Sequence, residues 1–161
     1  MRLDDLARID RHAARVRERL RASSDALAAR GFAGNPTLRG WCGIASVALV
    51  TSFRAAGLVA ELASGWFVDD EKLDADPHYW ALVGPAYGVV PEQWPDYATI
   101  IDITATQFLR FVDAPVVRLA PGALERIHYE LDEYGDHLLH GLPVQDQRLA
   151  LTAAVVGAEV A

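Results

Sequence analysis

"RGWCGIASVALVTSFRAAG", residues 39–57, holds the only cysteine of the chain at the point where a glycine-rich approach gives way to an apolar run. From Cys42 or just after it, the run reads as a helix that ends near Gly57. It is apolar almost all round, which marks a central helix buried on every side. Upstream, residues 4–30 read as a second helix. Leu6, Ile9, Ala13, Val16, Leu20 and Leu27 form one stripe at 3–4 spacing, with Arg8, Arg11, Arg15 and Arg19 off it. Gly31 suits the position past that helix, and the turn-rich loop "GFAGNPTLRG" follows.

Downstream of Gly57 the period changes to two. "LVAELASGWFV" reads as a strand, the acidic "DDEKLDADP" as a loop, and "HYWALVG" and "YATIIDIT" as further strands joined by the long "PAYGVVPEQWPD" connection. "TATQFLRF" reads as one or two helical turns, with Thr104 and Gln107 at capping-box spacing. "APVVRL" is a candidate strand. "GALERIHYELDEYGDHLLHG" reads as an amphipathic helix, with Leu124, Ile127, Leu131, Tyr134 and Leu138 on one stripe. The tail "QRLALTAAVVGAEV" is open between helix and strand. Helices, then antiparallel strands, then a helix again make an α+β order. At 161 residues the chain is expected to be one domain: an N-terminal helix over 1–31, a core over 38–112 and a helical extension over 121–161.

The balance of charge argues against nucleic acid. Residues 1–39 carry nine Arg against five acids, but the remainder carries six basic residues against seventeen acidic ones, for a net charge of -7. The Arg residues alternate with acids along a helix, and the acidic body repels phosphate. No apolar run approaches the roughly 18 residues of a membrane span, and the N-terminus "MRLDDLARIDRH" has no secretory pattern. One cysteine makes no internal disulfide. The expectation is a protein without membrane or nucleic-acid partners that is cytoplasmic, or exported by a route this sequence does not reveal.

A thiol is a strong nucleophile only as thiolate, and its ordinary pKa of about 8.5 is lowered by a helix N-terminus or a neighbouring imidazolium. Cys42 stands at such a helix start. It then needs a histidine, and that histidine needs an acceptor to fix its tautomer. His12 sits among arginines, where exposure is expected. His128, His137 and His140 fall on the expected C-terminal helix; His137, His140 and Asp136 share a face there but match no metal signature, so neither metal nor cofactor is expected. His78 opens the strand "HYWALV". Asp102 lies inside the apolar "TIIDIT", where a carboxylate is costly unless paired. If these two strands are antiparallel neighbours, the start of the first faces the end of the second, and His78 meets Asp102.

Cys at a helix start, His opening a strand and Asp on the next strand, in that order, resemble the papain-like and transglutaminase-like thiol enzymes. The stretches that carry the resemblance are "GWCGIAS", "HYWALV" and "IIDITATQF", the last similar to the Asp-x-Thr-x-x-Gln-Phe run of bacterial members; together they span roughly residues 38–112. The resemblance implies a nucleophile-bearing helix packed on an antiparallel sheet, with Cys42 as nucleophile, His78 as its base and Asp102 as the group that orients His78. It implies an amide or thioester substrate, such as a peptide bond or a glutamine side chain, and water or an amine as acyl acceptor. The backbone N–H of Cys42 would be one oxyanion donor. The side-chain donor departs from the family pattern, because no glutamine precedes Cys42; Asn35 is the nearest upstream amide, and Gln107 is a family-like position read first as a cap. Trp41, Gly43 and Trp80 complete the candidate oxyanion and substrate-binding set, with Trp41 the first choice for a groove wall. Trp66 and Trp94 are expected to pack in the core. The acidic stretch Asp69, Asp70, Glu71, Asp74 and Asp76 would favour an imidazolium and attract a cationic substrate. Two other classes stay open on sequence: a catalytically inactive binding or scaffold protein with a buried structural Cys, and an interaction module built on the Arg-rich helix.

Overall fold

A computed structural model describes residues 3–29, 38, 40–69, 74–85, 89 and 91–155. The chain is α+β. Helix α1 (Leu3–Ala28) and helix α2 (Cys42–Ala55) precede a hairpin of two eleven-residue strands, β1 (Val59–Asp69) and β2 (Asp74–Gly84). A short helix α3 (Trp94–Tyr97) leads to β3 (Thr99–Asp102), β4 (Val117–Leu119) and β5 (Tyr129–Tyr134), and α4 (Val144–Val155) follows. The five strands form one antiparallel sheet in the order β4-β3-β2-β1-β5.

Period-two alternation gives the sheet two apolar faces, each with its own core. On one face α1, α2 and α4 pack over Leu62, Ala81, Val83 and Ile101. Helix α2 is buried from Gly43 through Val50, as its all-apolar sequence demands. Ile9, Ala13, Val16 and Leu20 of α1 are buried against it; the side chain of Leu27 and the residue Gly31 lie outside the described residues. Helix α2 stops where Gly57 takes φ 75, with its N–H on Arg54 O at 2.9 Å, and Arg54 complements the negative helix end. Arg54 then ties the helix to the sheet, bonding Ala60 O, Glu61 Oε2 and Asp136 Oδ1, each at 2.7 Å. On the other face, Phe67, Trp80, Leu82, Ile100, Phe108 and Tyr129 form a smaller aromatic core, in which Phe67 and Phe108 stack with centroids 3.7 Å apart.

Two elements and one side chain differ here from their sequence expectation. Residues 121–140 are not a helix: a 3-10 turn (Leu124–His128) leads into β5, and a second 3-10 turn (Asp136–His140) follows. Leu124 and Ile127, expected on a buried stripe, are 83% and 70% exposed. The helical extension is therefore confined, among described residues, to α4. The acidic loop is shorter than expected, because Asp69 ends β1 and Asp74 and Asp76 begin β2; Asp70 and Glu71 lie outside the described residues. His12 is half-buried between α1 and α2, with Nδ1 2.9 Å from Ser52 Oγ.

Candidate active site

The approach to Cys42 is a tight turn. Leu38, buried in the helical core, holds a left-handed backbone (φ 58), Gly40 another (φ 78), and Trp41 N–H donates to Leu38 O at 2.9 Å. Glycine takes this conformation without cost, whereas at Leu38 it costs stability and persists only because the surroundings impose it. The turn ends at Cys42, the first residue of α2. The first intrahelical donor is Ala45 N–H to Trp41 O, so the backbone N–H groups of Cys42, Gly43 and Ile44 point out of the helix start. The Cys42 thiol is free and half-buried.

The β2–β3 register pairs Ala81 with Ile101, which sets the end of β3 beside the early part of β2. Strand β3 pairs with β2 only over Ala81–Val83. The segment after Asp102 therefore fills the edge beside His78, with the Phe108 ring 4.9 Å from the imidazole. His78 and Asp102 lie side by side, both about 1% exposed, with Nε2 and Oδ2 2.7 Å apart. The other carboxylate oxygen, Oδ1, accepts from Thr104 N–H at 2.7 Å and from the Thr104 hydroxyl at 2.8 Å. Tyr129 donates its hydroxyl to Oδ2 at 3.0 Å. The buried carboxylate thus accepts from every side, the condition under which a charge is tolerated in an apolar interior.

Nε2 of His78 is committed to Asp102, which leaves Nδ1 as the ring nitrogen available to Cys42, its neighbour in charge and hydrogen bonding; Gln107 Nε2 lies 3.4 Å from Nδ1. Burial disfavours the imidazolium, but the Asp102 charge and the hydrogen bonds to Asp102 and Cys42, together with the charge of a Cys42 thiolate, outweigh it and push the ring up to about 9. Burial likewise opposes the Asp102 charge, yet His78 and the Thr104 donors hold its pKa below the ordinary carboxylate value. For Tyr129, burial and the adjacent Asp102 drive ionisation well above the usual phenol range, so its hydroxyl stays a neutral donor.

The remaining expected site residues are placed as follows. Trp41 is half-buried beside Cys42 and packs against the helical core. Gly43 is buried, and a Cβ there would stand 2.9 Å from Leu142 Cδ2 in the segment before α4. Trp80 is 1% exposed within the aromatic core, 6.1 Å from the His78 ring, and is no groove wall: it points to the same sheet face as His78 and is sealed there. Asn35 lies outside the described residues. Thr104 makes no side-chain cap with Gln107; its hydroxyl clamps Asp102 instead. Trp66, expected in the core, is 45% exposed, and Trp94 is half-buried with Nε1 on Pro85 O.

Sequence reasoning missed Thr104 and Tyr129 as partners of Asp102, and Arg17, which donates to Ile103 O and to Thr106 Oγ1 at 3.2 Å. The Thr signal was there in Asp-x-Thr, where a short polar side chain two residues on bonds back locally. Tyr129 and Arg17 reach the site only through tertiary packing. Among the described residues no group of three or more His, Cys, Asp and Glu side chains is placed to hold a metal, and His137 bonds Glu133 at 3.0 Å. No helix among them is long and apolar enough to cross a membrane. No protein-family model matches the chain, and no curated protein or solved structure matches it either.

Proposed function

We propose that the chain is a thiol-dependent acyl-transfer enzyme or hydrolase with a papain-like or transglutaminase-like core. Cys42 is the nucleophile and His78 its acid–base partner, with Asp102 orienting the ring. The observation that carries this reading is the two-sided use of one imidazole: Nε2 is held by Asp102 at 2.7 Å, which leaves Nδ1 for the thiol at the start of α2.

The chemistry follows from those positions. The Cys42 thiolate attacks the carbonyl carbon of an amide or thioester, and the new oxyanion meets the outward backbone N–H at the helix start. Collapse of that intermediate breaks the bond to the leaving amine or thiol, and His78 Nδ1–H supplies the proton. Water or an amine then attacks the acyl-enzyme, giving its proton back to Nδ1. A peptide bond or glutamine side chain fits as substrate, and the acidic strands of the β1–β2 hairpin favour a cationic one. A free catalytic thiol suits the reducing cytoplasm.

The test is alkylation at neutral pH. Iodoacetamide is expected to label Cys42 faster than it labels free cysteine, and Cys42→Ala is expected to abolish covalent adducts with amide, glutaminyl-peptide and thioester probes in intact-mass spectra. Labelling slower than free cysteine would instead mark an inert, structural thiol in a scaffold protein.

A further inference from the structure

Resting on the acyl-transfer reading, we propose that Gln107 is the side-chain oxyanion donor, its amide N–H acting with the backbone N–H of Cys42 on the same oxygen. Gln107 Nε2 borders His78 Nδ1 at 3.4 Å, on the side of the ring that serves Cys42. An imidazolium carries a proton on Nδ1, and an amide NH2 is also only a donor. The two cannot satisfy each other, so in the charged ring state the amide protons are left for an acceptor in the space shared with the sulfur. In acyl transfer that acceptor is the oxygen that gains charge as sulfur adds to the carbonyl.

The amide is held in place before any substrate arrives. Gln107 closes the 3-10 turn Ala105–Gln107, with its own N–H on Thr104 O at 3.1 Å and Phe108 N–H on Ala105 O at 2.9 Å. Thr104 is fixed to Asp102 by two bonds, and Arg17 grips Ile103 O and Thr106 Oγ1 from α1. Donors oriented in advance are worth most where water is largely excluded, and Gln107 is half-buried.

Sulfur forms a bond to the acyl carbon, and the carbonyl π pair moves to oxygen, where the two N–H groups receive it. The pair returns as the leaving group departs, an amine taking the Nδ1 proton and a p-nitrophenolate leaving as the anion.

Two probes separate this role from a structural one. Acetylation of Cys42 by p-nitrophenyl acetate passes through an oxyanion, whereas alkylation by iodoacetamide does not. Gln107→Leu is expected to slow acetylation about 10²–10³-fold and to leave the alkylation rate unchanged. Gln107→Glu, which keeps the length of the side chain but replaces the donor with an acceptor, is expected to lose acetylation to a similar degree. Acetylation at the wild-type rate in both variants overturns the proposal, as does a parallel change in both reactions, which would mean that Gln107 only tunes the thiol. Slow alkylation of the wild-type protein would fail the acyl-transfer reading itself, a result distinct from either.

Discussion

Tyr129 and His78 meet on one atom: the tyrosine hydroxyl donates to Asp102 Oδ2 across 3.0 Å, and His78 Nε2 reaches the same oxygen across 2.7 Å. Tyr129 opens the edge strand β5, where it pairs with Phe67 of β1, so the whole width of the hairpin stands between its backbone and β3. Its ring is part of the aromatic core, 5.2 Å from Phe67 and 5.3 Å from Trp80. Phenylalanine fills the same space without the donor. Tyr129→Phe should therefore cost about 1.5–3 kcal/mol, the range for a buried hydrogen bond to a charged group, measured by urea unfolding near pH 7. A loss below about 0.5 kcal/mol would mean that the hydroxyl does not stabilise the carboxylate.

The pH dependence of stability follows from His78. Its folded value of about 9 lies above the ordinary 6.5, so the folded state binds its proton more tightly than the unfolded chain does. That contribution is complete below about pH 6.5 and is lost as pH rises through about 9. Asp102 acts at the other end: its lowered pKa gives stability that is present above the ordinary carboxylate value and lost as acid protonates it in the folded state. Unfolding free energy should thus fall between neutral pH and pH 9, and His78→Gln should lack that slope. Activity carries a second signature. Amide turnover needs the Nδ1 proton for the leaving amine and should decline through about pH 9, while acetylation by p-nitrophenyl acetate, whose leaving group needs no proton, should not.

The His78–Asp102 pairing was readable from sequence because it depends on little: two short strands of period two, antiparallel and adjacent, bring the start of one to the end of the other. The burial of α2 was readable from its composition for the same reason. Residues 121–140 misled because Leu124, Ile127, Leu131, Tyr134 and Leu138 imitate a helical stripe, although Leu124 and Ile127 face solvent. What makes 129–134 a strand is the exposed edge of β1, and no local pattern announces that partner. The Thr104–Gln107 spacing fits a capping box equally well as a turn that clamps Asp102. Only the neighbouring charge decides between them.

Gly65 shows how β5 is held. It faces β5 at the bulge between Ser64 and Gly65, and a Cβ there would stand 2.0 Å from Glu130 O and 2.9 Å from Asp132 N. Those neighbours are backbone, which cannot swing aside as a flexible side chain would. Gly65→Ala should displace β5 at more than about 3 kcal/mol, beyond the ordinary range for a point substitution, and should weaken the Tyr129–Asp102 bond with it. Chemical denaturation together with the pH slope described for His78 would read both effects. A stable Gly65→Ala protein with an unaltered slope would show that the bulge relaxes without moving Tyr129.

Arg17 connects the N-terminal helix to the site through its bonds to Ile103 O and Thr106 Oγ1, on either side of Thr104 in the segment that runs from Asp102 to Gln107. Its bonds run to Ile103 and Thr106 and not to Cys42 or His78, so it is a positioning residue, and its effect should pass through the turn it grips. Arg17→Met keeps much of the apolar stem and removes the fork of donors; lysine cannot replace it, since one ammonium does not reproduce a planar pair of N–H groups. The expected result is slower acetylation of Cys42 with unchanged alkylation, in the same direction as Gln107→Leu but smaller. The decisive measurement is the double variant. If Arg17 acts by fixing Gln107, Arg17→Met adds little to acetylation once Gln107 is leucine, whereas independent contributions would multiply. Multiplying effects would place Arg17 in the stability of α1 alone and leave the turn to be held by Thr104 and Phe108.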